Sequence, residues 1–287
     1  MAEVLRIENL NFSVYESLRQ ASAGKNVISK IFGNLFRFST LSRRNILENI
    51  NLSLNPGETL CIGGPSGQGK SLLLRLIAGL EKPDSGNFFY FGEYLPKEKH
   101  SALEIALRQV GLVLQNGALI SNLTVRDNVA LPLRYHRRGT EKEISEKVNM
   151  ALDLMRVSSV ATNFPHTLSA GMLKRVAIAR AISMNPKYLF CDEPNSGLDP
   201  KTSLVIDKLI QDITKEYNIC TIVNSHDMNS IMEIGDNIIF LKNGKKEWQG
   251  SRFEIFDSNN ESLNDFVFAS DLFKKIKNAT NNQSPQA

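Results

Sequence analysis

Cysteine is scarce, with three in 287 residues, too few to build a disulfide framework. Each lies in an apolar run, Leu60-Cys61-Ile62, Phe190-Cys191 or Ile219-Cys220-Thr221, where a thiol reads as a small buried hydrophobe in a reducing compartment. No apolar run approaches the roughly 20 residues needed to span a bilayer. The opening residues, Met1-Ala2-Glu3-Val4-Leu5-Arg6, lack a charged stretch followed by an apolar one, so no export signal is expected. Acidic residues are absent from 19–45, which hold six basic ones: Arg19, Lys25, Lys30, Arg37, Arg43 and Arg44. The whole chain carries +4, so the remainder stands at about −2. This is a mildly acidic body with a basic insert, not the diffuse basicity that tracks a nucleic acid. No internal repeat is visible.

What is present is an alternation of strand and helix signals. Strands are predicted over Val4–Val14, Ile46–Leu54, Thr59–Gly63, Phe88–Phe91, Val110–Leu114, Tyr188–Cys191 and Ile219–Asn224. A hairpin is expected from Ile238–Leu241 and Lys245–Gln249 around Asn243-Gly244. Helices are predicted over Ser71–Leu80, from Thr140 to about Val157, from near Ser169 through Ala181, and over Thr202–Glu216. Thr140 and Glu143 form a capping-box pattern, with Ile144, Val148, Ala151, Leu152 and Met155 as the apolar stripe. Alternation of this kind argues for an α/β core with a largely parallel sheet.

Gly64-Pro65-Ser66-Gly67-Gln68-Gly69-Lys70-Ser71 fits G-x-x-x-x-G-K-[ST], a P-loop, between a predicted strand and a predicted helix. Glycines let successive amide N–H groups converge on a phosphate, and the helix N-terminus adds its dipole. Lys70 would reach the β- and γ-phosphates of ATP, and the Ser71 hydroxyl would sit on Mg²⁺. A second segment, the strand Tyr188–Cys191, ends in the carboxylates Asp192-Glu193. Alone, such a pair is as readily an exposed strand end. About 120 residues after a P-loop, Asp192 is placed to hold Mg²⁺ through water and Glu193 to polarise an attacking water. Gln115 and His226 each follow a predicted strand, and ligands of open parallel sheets bind beyond the carboxyl ends of strands. His226 then reads as a γ-phosphate contact, with a plain surface histidine as the alternative.

In this order the P-loop, Gln115, Leu168-Ser169-Ala170-Gly171-Met172, Asp192-Glu193-Pro194, Ser196-Gly197-Leu198-Asp199 and His226 resemble the nucleotide-binding subunit of an ATP-binding-cassette (ABC) transporter over about residues 4–250, the insert excluded. The resemblance implies a P-loop NTPase (RecA-like) core with an antiparallel β subdomain and a small helical subdomain. It also implies two subunits facing head to tail around two Mg·ATP, with a multispanning permease as partner, at the cytoplasmic face of the inner membrane. Carried over, Ser169 and the amides of Ala170 and Gly171 meet the partner's γ-phosphate, with Met172 completing the signature. Asp199 bridges the two sites, and Ser71, Gln115 and Asp192 serve the metal. Four departures stand out. Ala170 replaces a glycine, Met172 stands where the signature often has glutamine, Leu72 replaces a threonine that would touch the α-phosphate, and the adenine-stacking aromatic is expected at Val14, with Tyr15 as its neighbour. Residues 115–136, Met172 with Arg175, and Ser225-His226-Asp227 with Ile231 to Asp236 are similar to ATPases of MCE-type (Mla-like) phospholipid transporters. That likeness implies an MCE-domain substrate-binding protein as a further partner.

Only 54 positions separate Gln115 from Ser169, room for a small helical subdomain at about 116–170 but not for the long coiled coil of chromosome-maintenance relatives. Within the insert, Val27–Arg37 places Ile28, Ile31, Phe32, Leu35 and Phe36 on one helical face, a basic amphipathic helix suited to a membrane, a permease or its own domain. Polysaccharide exporters with extra residues here are one rival reading, and a soluble ABC ATPase of cytosolic assembly is another. Residues 251–287 are expected to hold a final helix carrying Leu263, Phe266, Val267, Leu272, Phe273 and Ile276, then a polar tail after Lys277.

Overall fold

The computed structural model describes residues 5–17, 41–90, 93–94 and 108–268. Two sheets organise them. The larger has six strands: β3 (Thr59–Gly63), β6 (Val110–Val113), β7 (Tyr188–Asp192), β8 (Cys220–Asn224), β9 (Asn237–Lys242) and β10 (Lys245–Gly250). Their spatial order is β10-β9-β3-β8-β7-β6, parallel except for the β9–β10 hairpin. Its central strands β3, β7 and β8 are buried at every position. That is why they read as unbroken apolar runs rather than alternations.

The smaller sheet is antiparallel, ordered β2-β1-β4-β5, from β1 (Leu5–Ser17), β2 (Leu41–Leu54), β4 (Ser85–Tyr90) and β5 (Glu93–Tyr94). β1 and β2 are longer than the sequence predicts. They stay paired out to Ser17 and Leu41, which confines their connection to residues 18–40. Arg43 and Arg44 therefore belong to a strand rather than to the insert, a correction to the expected span of 19–45. Arg43 pairs with Asp84 at 3.0 Å and donates from Nε to Ser13 Oγ of β1 at 2.7 Å, so its charge is matched within this sheet. The rest of the insert, including the amphipathic segment Val27–Arg37, lies outside the described residues. The irregular alternation in β1 comes from register shifts at Ile7/Leu10 and beyond. Asn9 and Asn49 take left-handed backbone there (φ 51° and 49°), and Asn11 and Asn51 side chains accept their amide protons.

Helices cover the sheets: α1 (Lys70–Ile77), α2 (Val125–Tyr135), α3 (Glu141–Leu154), α4 (Ala170–Ile182), α5 (Pro200–Glu216), α6 (Met228–Ile234) and α7 (Glu261–Val267). The Thr140/Glu143 capping box is present on α3. α2 and α6 have no counterpart among the helices predicted from periodicity. α2 contains Pro132, a residue that normally argues against a helix interior. It forms because Thr124 caps it and because Asn128, fully buried, accepts from Ile120 N and donates to the carbonyls of Ile120, Leu123 and Thr124. α6 has seven residues, too few to show a helical period.

Two apolar clusters lie on opposite faces of the larger sheet. Cys61, Cys191 and Val223 face one, with α2–α6; Leu60, Ile62, Phe190 and Ile222 face the other, with α1 and the smaller sheet. All three cysteines are free and buried, and burial pushes their thiols upward, Cys220 to about 12. Ile255, Leu263, Val267 and Phe268 join the first cluster, so the chain beyond residue 250 shares the core of the sheet. Leu272, Phe273, Ile276 and the polar tail lie outside the described residues.

Candidate nucleotide site

Four neighbouring strands, β3, β8, β7 and β6, end at one edge of the larger sheet, and each delivers a polar group there. After β3 the P-loop turns into α1. Gly69 occupies the N-cap in left-handed backbone (φ 94°), α1 has no side-chain cap and its first turn holds no acid, which leaves amide donors for an anion. Lys70 is 6% exposed and donates to the carbonyls of Gly64 and Pro65 at 2.7 and 2.8 Å. Burial pulls its ammonium below the usual lysine range, while Glu193 and then Asp192 raise it again. Ser71 Oγ donates to Asp192 Oδ1 at 2.8 Å, and Asn224 Nδ2, from the end of β8, donates to the same oxygen at 3.1 Å.

Glu193 follows immediately, with left-handed backbone (φ 48°). For a side chain with a Cβ this costs roughly 1–2 kcal/mol, so the surroundings must hold it. Its N–H donates to Asn224 O at 3.0 Å, and its carbonyl accepts from Ser196 N at 3.2 Å. The carboxylate is bracketed: Gln115 Nε2 donates to Oε2 at 2.9 Å, and His226 Nδ1 donates to Oε1 at 3.0 Å. Ser71, Gln115, Asp192, Glu193 and His226 thus form one connected set, from positions spread over 155 residues of chain.

Other expected site residues fall elsewhere. Ser169 is the N-cap of α4, accepting from Met172 N, with Ala170 and Gly171 opening the helix. Gly171 abuts Thr202, where an added Cβ would sit 2.6 Å from Thr202 Cγ2. Asp199 caps α5 by accepting from Thr202 N at 3.0 Å. The signature and Asp199 therefore adjoin each other, but among the described residues no hydrogen bond or ion pair joins either to the P-loop of the same chain. Gln68 accepts from Asn243 N at 2.5 Å; Pro65 and Ser66 complete the loop. Leu72 packs against the second apolar cluster, so its side chain is spent on the core. Tyr15, on β1, lies opposite Arg43 of β2 and is 67% exposed; among the described residues no hydrogen bond joins it to the P-loop.

Residues without a motif also shape the site. Lys174 on α4 reaches the carbonyls of Gln115 and Glu193. Asn195, two residues past Glu193, donates to Ser230 Oγ at 2.7 Å and to Asp207, and Ser230 Oγ donates to Asp207 Oδ2 at 2.7 Å. Asp207 is 1% exposed. Burial raises its carboxyl to about 6 against the hydrogen bonds of Ser230 and Asn195, and Asp227 and Glu233 add to the rise. Between about pH 4 and about 6 the folded state therefore holds a proton that the unfolded state releases. Stability is expected to fall as pH rises through that window, by at most about 3 kcal/mol. Melting curves of the parent and Asp207→Asn at pH 5 and pH 8 check this, the variant lacking the decline.

The donors fit Mg·ATP. Among the described residues no group of three or more His, Cys, Asp or Glu could hold a metal. The available ligands are the oxygens of Ser71, Gln115 and Asp192, a sparse hard set that suits Mg²⁺, which keeps water and phosphate as its remaining ligands.

Fold and site together define a P-loop nucleotide-binding fold built as an ATP-binding cassette. The chain belongs to the ABC transporter family, whose model matches residues 47–196. It is 37% identical over 242 residues to a sulfate/thiosulfate import ATP-binding protein from Mesostigma viride, covering 84% of this chain and 64% of that one. A methionine import ATP-binding protein from Haemophilus influenzae is 39% identical over 210 residues, covering 73% and 61%. Among solved structures, a dimeric ATP-binding cassette bound to ADP and Pi superposes with a TM-score of 0.72 at 29% identity, covering 86% of this chain and 98% of that one. The cbiO1 protein of Clostridium perfringens gives 0.74 at 26%, covering 98% and 100%. The chain spans less than two thirds of the length of these two curated relatives.

Proposed function

We propose that this chain binds Mg·ATP between two copies arranged head to tail and hydrolyses it to drive a membrane permease. The observation that carries the reading is the Glu193 carboxylate held between Gln115 and His226, beside the Ser71–Asp192 pair. Phosphoryl transfer to water needs positioning and charge neutralisation more than covalent chemistry. Lys70 and the P-loop amides would neutralise phosphate oxygens, and Ser71, Gln115 and Asp192 would hold Mg²⁺, which supplies further neutralisation when bound. Glu193 would orient and deprotonate the water, and His226 would fix that carboxylate and contact the γ-phosphate. Among the described residues Ser169, Ala170, Gly171 and Met172 make no hydrogen bond to their own P-loop, which suits service to a partner's nucleotide, with Asp199 between the sites. Tyr15 is the candidate for adenine stacking.

No helix among the described residues is long and apolar enough to cross a membrane, so association would run through the permease at the cytoplasmic face of the inner membrane. For cargo, residues 115–136, Met172 with Arg175, and 225–236 support phospholipid, with an MCE-domain protein as a further partner. The relatives' names favour a second reading, import of a small solute such as sulfate or methionine. Affinity capture of the tagged full chain from detergent-solubilised membranes is expected to recover a multispanning permease. Proteoliposomes of that complex should move fluorescent phospholipid on addition of ATP and leave labelled sulfate and methionine untouched. Solute uptake without lipid movement would select the second reading, and stimulation of hydrolysis by DNA without a membrane partner would sink both.

A further inference from the structure

Lys174 is a second buried lysine beside the candidate site, marked by no motif. It sits one turn into α4, is 8% exposed, and has three N–H donors to place. It places them on three segments: the carbonyl of Gln115 after β6, the carbonyl of Glu193 after β7 at 3.2 Å, and Ser196 Oγ in the run toward Asp199 at 3.3 Å. The first two acceptors are the backbones of the two residues whose side chains meet at 2.9 Å. One ammonium therefore bridges the backbones of Gln115 and Glu193, while their side chains meet each other. It also holds the carbonyl of the left-handed Glu193, whose N–H is already fixed on Asn224. Its stem rises from the helix that Ser169 caps.

We propose that Lys174 is a positioning residue for hydrolysis: without touching nucleotide, it locks Glu193 and Gln115 to each other and to the signature helix. The proposal rests on the reading of Glu193 and Gln115 given above. A lysine that serves stability alone would, when replaced, lower the melting temperature and leave turnover per folded molecule intact. A positioning lysine changes kcat.

The test uses the full chain, with steady-state phosphate release, equilibrium binding of a fluorescent ATP analogue and melting curves for Lys174→Met, Lys174→Gln and Lys174→Arg. Methionine keeps most of the apolar stem and strips the donors from two part-buried carbonyls. Lys174→Met is expected to lower kcat about 10- to 100-fold, the equivalent of losing charge-assisted hydrogen bonds, with analogue affinity changed by less than about 3-fold. Lys174→Arg, which keeps charge and donors, recovers a measurable part of kcat. Lys174→Met turning over at the parent rate, affinity falling in step with kcat, or arginine no better than methionine would each overturn the proposal. If the methionine variant does not fold, the glutamine and arginine variants decide by the same split between kcat and affinity. Glu193→Gln run in parallel separates the layers. A parent inactivated by Glu193→Gln but indifferent at Lys174 overturns this proposal alone, whereas a parent indifferent to Glu193→Gln removes the reading beneath it.

Discussion

Replacing Glu193 by glutamine is expected to abolish ATP turnover, lowering kcat by roughly 10²- to 10⁴-fold, while ATP is still bound. The substitution keeps volume and shape and removes a negative charge and a proton acceptor. The surroundings tolerate it locally. The amide oxygen can still accept from Gln115 Nε2, now 2.9 Å from Oε2, and its NH₂ can face His226 Nδ1, now 3.0 Å from Oε1, in the other imidazole tautomer. Lys70 loses the carboxylate that raises its ammonium most, but keeps Asp192 and both carbonyl contacts. Binding should therefore persist and accumulate an ATP-bound dimer. Phosphate release, analogue binding and size-exclusion chromatography with ATP measure the three consequences. Undiminished release by the variant would sink the assignment of Glu193.

Gly64→Ala is expected to destroy the phosphate cradle and to destabilise the fold by several kcal/mol, on the order of the larger overpacking and backbone penalties. Gly64 has φ 141°, a backbone conformation that L side chains rarely adopt. A Cβ there would lie 2.2 Å from the carbonyl oxygen of Leu241, which belongs to the strand paired with β3 and cannot retreat without breaking the sheet. The carbonyl of Gly64 is also one of the two acceptors that hold Lys70, so a shift of this residue moves the site's buried cation. Gly67 is the built-in control: a Cβ there meets nothing within 4 Å, so Gly67→Ala should cost the fold only about 1 kcal/mol of backbone strain. Denaturant unfolding of the two variants measures the difference, and analogue binding should be lost in Gly64→Ala. Equal stability of the two would remove the packing argument.

The range of each signal decides how much of the fold is legible in the sequence. The P-loop, the capping box at Thr140 and the apolar strands were readable because each is decided by residues within one turn or one strand. α2 was hidden by Pro132, whose usual meaning is overridden by Asn128 stapling the preceding loop. α6 was hidden by brevity. The basic insert reads as longer than the connection it occupies because strand pairing out to Ser17 and Leu41 has no local marker. Lys174, Asn195, Asp207 and Asn224 carried no signal, since each draws its role from partners 12 to 59 positions away.

The few cysteines, read as buried thiols, proved to be free and buried in the two faces of one sheet. By itself the sequence determined the phosphate loop, the acidic strand end and the family these define, because backbone geometry and residue chemistry at fixed short spacing admit few other outcomes. Only the tertiary structure decided how they meet. The strand order β3-β8-β7-β6 runs against chain order, and nothing local dictates which strand lies beside which. That order is set by packing two apolar faces at once, and it alone brings Gln115, Asp192, Glu193 and His226 to the edge where Lys70 and Lys174 wait.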